Sequence, residues 1–393
     1  MRPITKQRIP ITKTYFGPEE LASIQQPLQT GWVVQGPYVA SFEKKFSEYT
    51  AAPYSVATSS CTTALHIAVA VLGLKPGDEV IVPAFTWVAT ANVVEYMGAT
   101  PIFCDIQLES FNIDPFAIES LITPKTVGII PVHLFGLCAD MDIISKLAAK
   151  HNLWVIEDAA CGLGARYRGK HCGLLGDIGC FSFHPRKSIT TGEGGMITTT
   201  SRQYDQLSRS LRDHGATTSD LERHSAEKGF LLSQYPLLGY NYRMTDIQGA
   251  LGCAQMDRVE WILNQRKNLA RAYDEALASL DWLKTPKVPD GFTHGYQAYV
   301  CMFSPKEPSM SNIDRLSYQR NEFMGKLAAS GIATRQGTHA AALQKHYVEK
   351  YRLHPEMFPN AYFAQQLSLA LPLYPQMTEK EQEVVVEEIS ALN

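Results

Sequence analysis

FSFHPRKSITTGEGGM, residues 181–196, decides how the rest of the chain is read. An apolar strand-like piece, 180–183, delivers Lys187 into a turn, and a glycine-rich stretch, 192–195, follows at once. A lysine held at a strand end among apolar neighbours is expected to carry an amine with a lowered pKa, because burial penalises its charged form. Such an amine attacks carbonyls. A lysine chosen at random is a solvated surface group, so the reading of Lys187 depends on what the chain places around it.

Working outward, residues 54–200 alternate apolar runs with amphipathic stretches. The runs are 54–57, 79–83, 100–105, 127–132, 154–157, 179–183 and 195–199; helical spacing falls at 62–72, 87–97, 115–121 and 141–151. This alternation predicts an α/β fold, a mostly parallel sheet covered by helices on both faces. Residues 58–63 read as a strand-to-helix turn rich in hydroxyls, and helix N-termini bind phosphate through free N–H groups. Beyond residue 200 the spacing predicts helices over 203–212 and 245–280, the second capped by Thr245. The polar segment 213–234 reads as a functional loop or an inter-subunit arm. Strand-like pieces at 297–303 and 332–334 and helices over 315–329 and 378–391 predict a smaller α+β domain. The expected division is 1–250, with the N-terminal segment and the large domain, and 251–393.

Composition narrows the function classes. Hydrophobic residues make up 45% and charged residues 19% of the 393, which fits a globular protein with a large core. A net charge of −3 and the lack of a basic block argue against nucleic-acid binding. Eight cysteines, none in a C-x-x-C pair, argue against a metal site and read as reduced thiols of a cytoplasmic protein. The longest apolar stretch, 80–94, is broken by Pro83, Thr86, Thr90 and Asn92, so no membrane span is expected.

The lysine calls for pyridoxal phosphate (PLP). That group needs a lysine for its aldehyde, an acid at its ring nitrogen, a phosphate cup, a flat surface and a donor near its phenolic oxygen. Asp158 ends the apolar strand 153–156, 29 residues before Lys187, where ligands meet parallel sheets. Thr62 and Ser182, with backbone N–H groups near Cys61 and Thr62, are the candidates for the cup. Trp87 follows the strand 79–83 directly and offers an indole to the ring. Arg243 reads equally as a bidentate partner for a donor's carboxylate or as a salt bridge. His184, close to Lys187, is a candidate for orienting substrate; Arg335 and His339 are candidates for meeting an anionic one. His66, among apolar helix residues, reads as structural.

Together these positions resemble the DegT/StrS family of sugar aminotransferases, fold-type-I PLP enzymes. The resemblance runs through TGWVVQGPYVASFE (30–43), PAFTWVATANVV (83–94), VIEDAACGLGA (155–165), the lysine block and GYNYRMTDIQGAL (239–251). It implies that Lys187 carries the cofactor and, once displaced, moves a proton as general base and then acid. It implies Asp158 as partner of the ring nitrogen, Trp87 as the stacking aromatic, and Thr62 and Ser182 as phosphate ligands. Asn241 would reach the phosphate bound by the neighbouring subunit, in a homodimer with composite sites. The amino donor would be glutamate and the acceptor a nucleotide-linked keto-sugar. Three departures stand out. Cys61 replaces a usual glycine, Cys161 replaces the glutamine or histidine that contacts the phenolic oxygen, and 333–351 lacks the usual histidine- and proline-rich pattern of the sugar-pocket loop. The alternatives are a non-catalytic PLP-binding or regulatory protein, and amino transfer to a cyclitol or another carbohydrate-like ketone. A PLP sugar dehydratase is disfavoured, since such relatives carry histidine in place of the lysine.

Overall fold

The structure, a computed structural model, describes residues 8–218 and 232–391. Its strands are β1 (Tyr54–Thr58), β2 (Glu79–Pro83), β3 (Thr100–Cys104), β4 (Thr126–Ile129), β5 (Trp154–Asp158), the short β6 (Arg166–Tyr167) and β7 (Lys170–His171), β8 (Ile178–Ser182), β9 (Gly195–Thr199), β10 (Leu283–Lys284), β11 (Phe292–Thr293), β12 (Tyr299–Phe303) and β13 (Ser368–Leu371). The large sheet has the order β1-β9-β8-β5-β4-β2-β3. The β2–β3, β2–β4, β4–β5 and β5–β8 pairs are parallel. Only β9 runs against the rest, pairing antiparallel with β1 and β8.

Strand alternation sorts side chains onto two covered faces. Val56, Val80, Val82, Ile156, Cys180 and Ile197 pack in one apolar cluster. Their neighbours Ala57, Ile81, Val155, Phe181 and Met196 pack in the other. A strand buried on both faces reads as a continuous apolar run, which is why the sheet was visible in the sequence.

The helices are α1 (Pro18–Thr30), α2 (Pro37–Thr50), α3 (Cys61–Val71), α4 (Ala89–Tyr96), α5 (Met141–His151), α6 (Arg202–Arg212), α7 (Asp246–Asp257), α8 (Val259–Leu277), α9 (Ile313–Ala329), α10 (Lys345–Tyr351), α11 (Pro359–Leu367) and α12 (Glu379–Ala391). Helix α3 brings Ala64, Leu65 and Ala68 to the first cluster; α2 brings Phe42 and Phe46, and α5 brings Met141 and Ile144, to the second. The small sheet β10-β12-β13 is antiparallel throughout. The first cluster continues from Val56 of the large sheet to Ile389 of α12. Residue 250, the expected division, lies inside α7. Among the described residues no helix is long and apolar enough to cross a membrane.

Three expectations need correction. The helix expected over 115–121 is a short 3-10 turn, Ile118–Leu121, because Asp114 Oδ1 takes the Phe116 N–H at 3.1 Å in a competing turn. The strand expected over 332–334 is two isolated bridges, Ile9 to Ile332 and Arg335 to Ala370. The helix expected over 245–280 breaks at Arg258, whose φ/ψ is −118/12. Its guanidinium is drawn to Glu19 and Glu20 of α1, at 2.7 and 2.9 Å. Thr245 does cap α7, with Gln248 returning the hydrogen bond. Much of the expected arm over 213–234 lies outside the described residues.

Candidate active site

Strands β1, β2, β5 and β8 all point the same way, so the residues that follow them gather at one end of the sheet. There the chain leaves β1 into α3, β2 into the Trp87 turn, β5 into the Cys161 loop and β8 into the Lys187 loop. Asp158 pairs in register with Cys180 of β8, which sets the end of β5 beside the start of the Lys187 loop.

The Lys187 loop is the link between β8 and β9, closed by the Ser182–Gly195 pair. The Lys187 N–H donates to His184 O at 2.8 Å, and Gln297 Nε2 donates to Arg186 O at 2.7 Å. Gly192 turns the loop back with φ +82°, where a side chain would be strained. Gly195 matters for a different reason. A Cβ there would meet Ser60 C and O at 2.4 Å and Cys61 N at 2.7 Å. The missing side chain lets the N-terminus of α3 press onto β9.

That N-terminus offers the free N–H groups that a phosphate would need. Ser60 caps α3, its Oγ accepting from Thr63 N at 3.1 Å. The N–H groups of Cys61 and Thr62 have no acceptor among the described residues, as expected for a first helical turn. Cys61 is buried, and burial together with Asp158 raises its thiol well above the ordinary value. Thr62 is half-buried. Ser182 Oγ accepts from His184 N at 3.4 Å, leaving its own proton free for another acceptor.

Lys187 is half-buried, with Nζ 3.2 Å from Cys161 Sγ. Burial alone would lower its pKa, but Cys161, Cys61 and Asp158 outweigh that and hold the ammonium above the ordinary lysine value. The lowered amine expected from the sequence is corrected on this point: the strand end is ringed by acidic groups as well as apolar ones. Asp158 is 4% exposed. Burial pushes its carboxyl above the usual range, only partly offset by Thr90, the Ala160 N–H and the charge of Lys187. Thr90 Oγ1 donates to Oδ2 at 2.7 Å, and the Ala160 N–H to Oδ1 at 3.1 Å.

Trp87 is 58% exposed, its ring 5.8 Å from that of His339. The Thr86 N–H donates to His339 O at 3.0 Å, which fastens the 335–340 segment to the Trp87 turn. Arg335, half-buried, bonds through its backbone to Ala370 of β13. Burial and the charge of Arg186 lower its pKa. Neither Arg186 nor Arg335 has a carboxylate partner among the described residues.

The other candidates are placed differently. Arg243 pairs with Asp213. His184 Nδ1 accepts from Arg186 N at 3.2 Å and so serves its own turn. His66 Nδ1 meets Tyr242 OH at 3.0 Å, in a packing role. Asn241 is exposed, and its side chain bonds to none of the described residues. Sequence reasoning missed Thr86, Thr90 and Arg186. Thr90 read only as a break in an apolar run; its spacing of three from Trp87, one helical turn, was the available signal.

The residues fit PLP. A buried carboxyl with lone pairs to spare gains from a cationic N–H. Two helix N–H groups open toward a phosphate, an indole lies bare, and an amine stands beside Cys161. Among the described residues no cluster could hold a metal ion.

Comparison with known proteins gives the same direction. The family model described as "DegT/DnrJ/EryC1/StrS aminotransferase family" matches residues 15–390. GDP-perosamine synthase of Caulobacter vibrioides is 39% identical over 342 residues, 86% of this chain and 87% of that protein. The spore coat polysaccharide biosynthesis protein SpsC of Bacillus subtilis is 34% identical, covering 97% of this chain and 96% of its own. Among solved structures, the putative sugar aminotransferase Spr1654 from Streptococcus pneumoniae, in its PLP-form, superposes with a TM-score of 0.89 at 28% identity, over 98% of both chains.

Proposed function

Because the chain belongs to the DegT/DnrJ/EryC1/StrS aminotransferase family, we propose that this PLP-dependent sugar aminotransferase takes an amino group from L-glutamate and places it on a nucleotide-linked keto-sugar. The observation that carries the reading is the meeting of Lys187 Nζ, Cys161 and the buried Asp158 at the ends of β5 and β8. Bound PLP supplies a conjugated ring that accepts the electron pair left when a proton leaves the amino-bearing carbon.

The chain's own groups do the rest. Asp158 would accept from the ring nitrogen's N–H, and the first turn of α3 with Thr62 and Ser182 would hold the phosphate. Trp87 would cover one face of the ring. Lys187 Nζ would hold the cofactor's aldehyde and, once freed by the donor's amine, would serve as the base that takes the donor α-carbon's proton and as the acid that returns it. Cys161, 3.2 Å from Lys187 Nζ, would offer a weak donor to the phenolic oxygen. Arg186 and Arg335 present positive charge beside this site, which suits a donor carboxylate or a nucleotide's phosphates. The name of one relative, GDP-perosamine synthase, carries a GDP-linked sugar. Asn241 faces outward, which supports a homodimer in which it reaches the partner's cofactor. All eight cysteines are free thiols, which supports a reducing cytoplasmic setting.

The test is spectroscopic. Protein loaded with PLP absorbs visible light, and glutamate is expected to bleach that band; adding a nucleotide-linked keto-sugar restores it and gives an aminated product by mass spectrometry. Loading without any response to amino donors points to a non-catalytic PLP-binding protein. Restoration only by cyclitols or free keto-sugars removes the nucleotide from the proposal.

A further inference from the structure

Thr86 and Thr90 form a hydroxyl pair inside the protein that the reaction so far leaves unused. Both are essentially buried, at 1% and 0% exposure. Thr86 sits in the turn that leads into α4 and Thr90 in the first turn of α4, with their Oγ1 atoms 3.2 Å apart. Thr90 Oγ1 is also 2.7 Å from Asp158 Oδ2 and 3.2 Å from Trp87 O. A hydroxyl has one proton to give. While Asp158 is ionised, the short contact to its oxygen takes that proton, since a charge-assisted bond is the stronger one. Thr86 Oγ1 is then the donor to Thr90 Oγ1. When Asp158 is protonated the chain turns round: the carboxyl donates to Thr90, and Thr90 donates to Trp87 O. The pair therefore satisfies Asp158 in either state, with no water needed.

The second carboxylate oxygen is held by the Ala160 N–H at 3.1 Å. One donor on each oxygen fixes the carboxylate plane and leaves one lone pair per oxygen uncommitted. The same turn carries Trp87, whose carbonyl is the alternative acceptor for Thr90. Ring-covering residue and acid thus share a single hydroxyl.

We propose that Thr90 is a positioning residue, acting through Asp158, which sets the direction and ionisation of that carboxylate toward the cofactor's ring nitrogen, with Thr86 as its reversible second donor. This rests on the reading of Asp158 given above. Valine keeps the shape and β-branch of threonine but lacks the hydroxyl; serine keeps the hydroxyl. Thr90→Val is expected to bind PLP about tenfold more weakly, the scale of one hydrogen bond to a charged group. The pH titration of the bound cofactor's visible band is expected to move by about one unit. Thr90→Ser should restore both.

The full-length chain is stripped of cofactor and reloaded with PLP. Affinity is read by equilibrium dialysis, the band by absorbance and visible circular dichroism, and folding by thermal melting. Asp158→Asn separates the two readings. If it leaves affinity and band unchanged, the assignment of Asp158 itself fails. If it changes them while Thr90→Val does not, only the role of Thr90 fails. Equal losses in Thr90→Val and Thr90→Ser would reduce Thr90 to packing and overturn the proposal. Should Thr90→Val not fold, Thr86→Val takes its place: a smaller spectral shift in the same direction supports the chain, and none refutes it.

Discussion

Glu157 and Asp158 are adjacent, identical in charge, and treated in opposite ways. Glu157 points to the face away from the site and accepts four bonds: from Gly173, Leu175 and Gly176 N–H at 2.6–2.7 Å and from His133 Nε2 at 2.7 Å. Burial opposes its charge, but His133 and those N–H groups win and hold the carboxyl below its usual range. Asp158 has two donors and stays above it. One carboxylate is saturated and structural, and the other keeps capacity for a ligand. His171 shows the same logic with a proton. Its Nδ1 meets Cys172 O at 2.7 Å and its Nε2 accepts from Gly164 N at 3.1 Å, which fixes a neutral ring. Burial lowers His171 to about 4 and His294 to about 3. Unfolded histidine titrates near 6.5. Between those values only the unfolded chain takes the proton, so stability is lost as pH falls from about 6.5. Unfolding free energies from urea titrations between pH 7 and pH 4 should drop by up to about 1.4 kcal/mol per unit per histidine; a flat profile would show these rings are not held neutral. Lys187 and Asp158 stood out as candidates in the sequence because each follows closely on an apolar run. The sequence hid Thr90 and His171, because a polar residue in an apolar stretch looks the same whether it packs, bonds or reacts.

At the scale of elements, β1 depends on charge for its place. It is an edge strand, and Glu43 of α2 lies behind it, buried. Glu43 Oε1 accepts from the Ala57 N–H at 2.9 Å and from Arg212 at 2.7 Å, while Oε2 accepts from Arg209 at 2.8 Å. Both arginines belong to α6, and they also donate to Ser55 O and Ala57 O at 2.8 and 2.7 Å. One carboxylate thus ties α2, β1 and α6 together. Burial raises the pKa of Glu43, but Arg212 and Arg209 more than reverse that and leave it lowered. Its contribution is complete above the ordinary glutamate range, about 4.3, and disappears as pH falls through the lower folded value. Glu43→Gln strands a buried arginine and should cost about 3 kcal/mol at neutral pH. The gap between wild type and variant should begin to narrow in urea titrations as pH falls below about 4.3 and keep narrowing with further acid; a gap that does not narrow there would mean that shape, not charge, holds the strand. The elements themselves were legible wherever period and length agreed, as in β1 to β5, β8 and β9. The break at Arg258 was not, because its cause is a pair of glutamates more than two hundred residues earlier. The reversal of β9 was not either, since strand direction is set by the length of the Lys187 loop and leaves no mark on apolar pattern.

At the scale of the whole molecule, the proposed homodimer turns on Asn241. It lies on the segment that bridges back to Asp213, exposed and beside the stacked rings of Tyr240 and Tyr242, 4.9 Å apart. If it serves a neighbouring copy, Lys187→Ala and Asn241→Ala chains, each inactive alone, should recover part of wild-type turnover when mixed. Verified heterodimers without recovery would exclude a shared site. The unbroken apolar cluster from Val56 to Ile389 has a further consequence for anyone who wishes to halve this protein. A gene severed at codon 250 would cut α7 in its middle and tear one oily interior into two sticky halves. Made separately, each fragment would go to inclusion bodies; only synthesised side by side could they find one another and reseal.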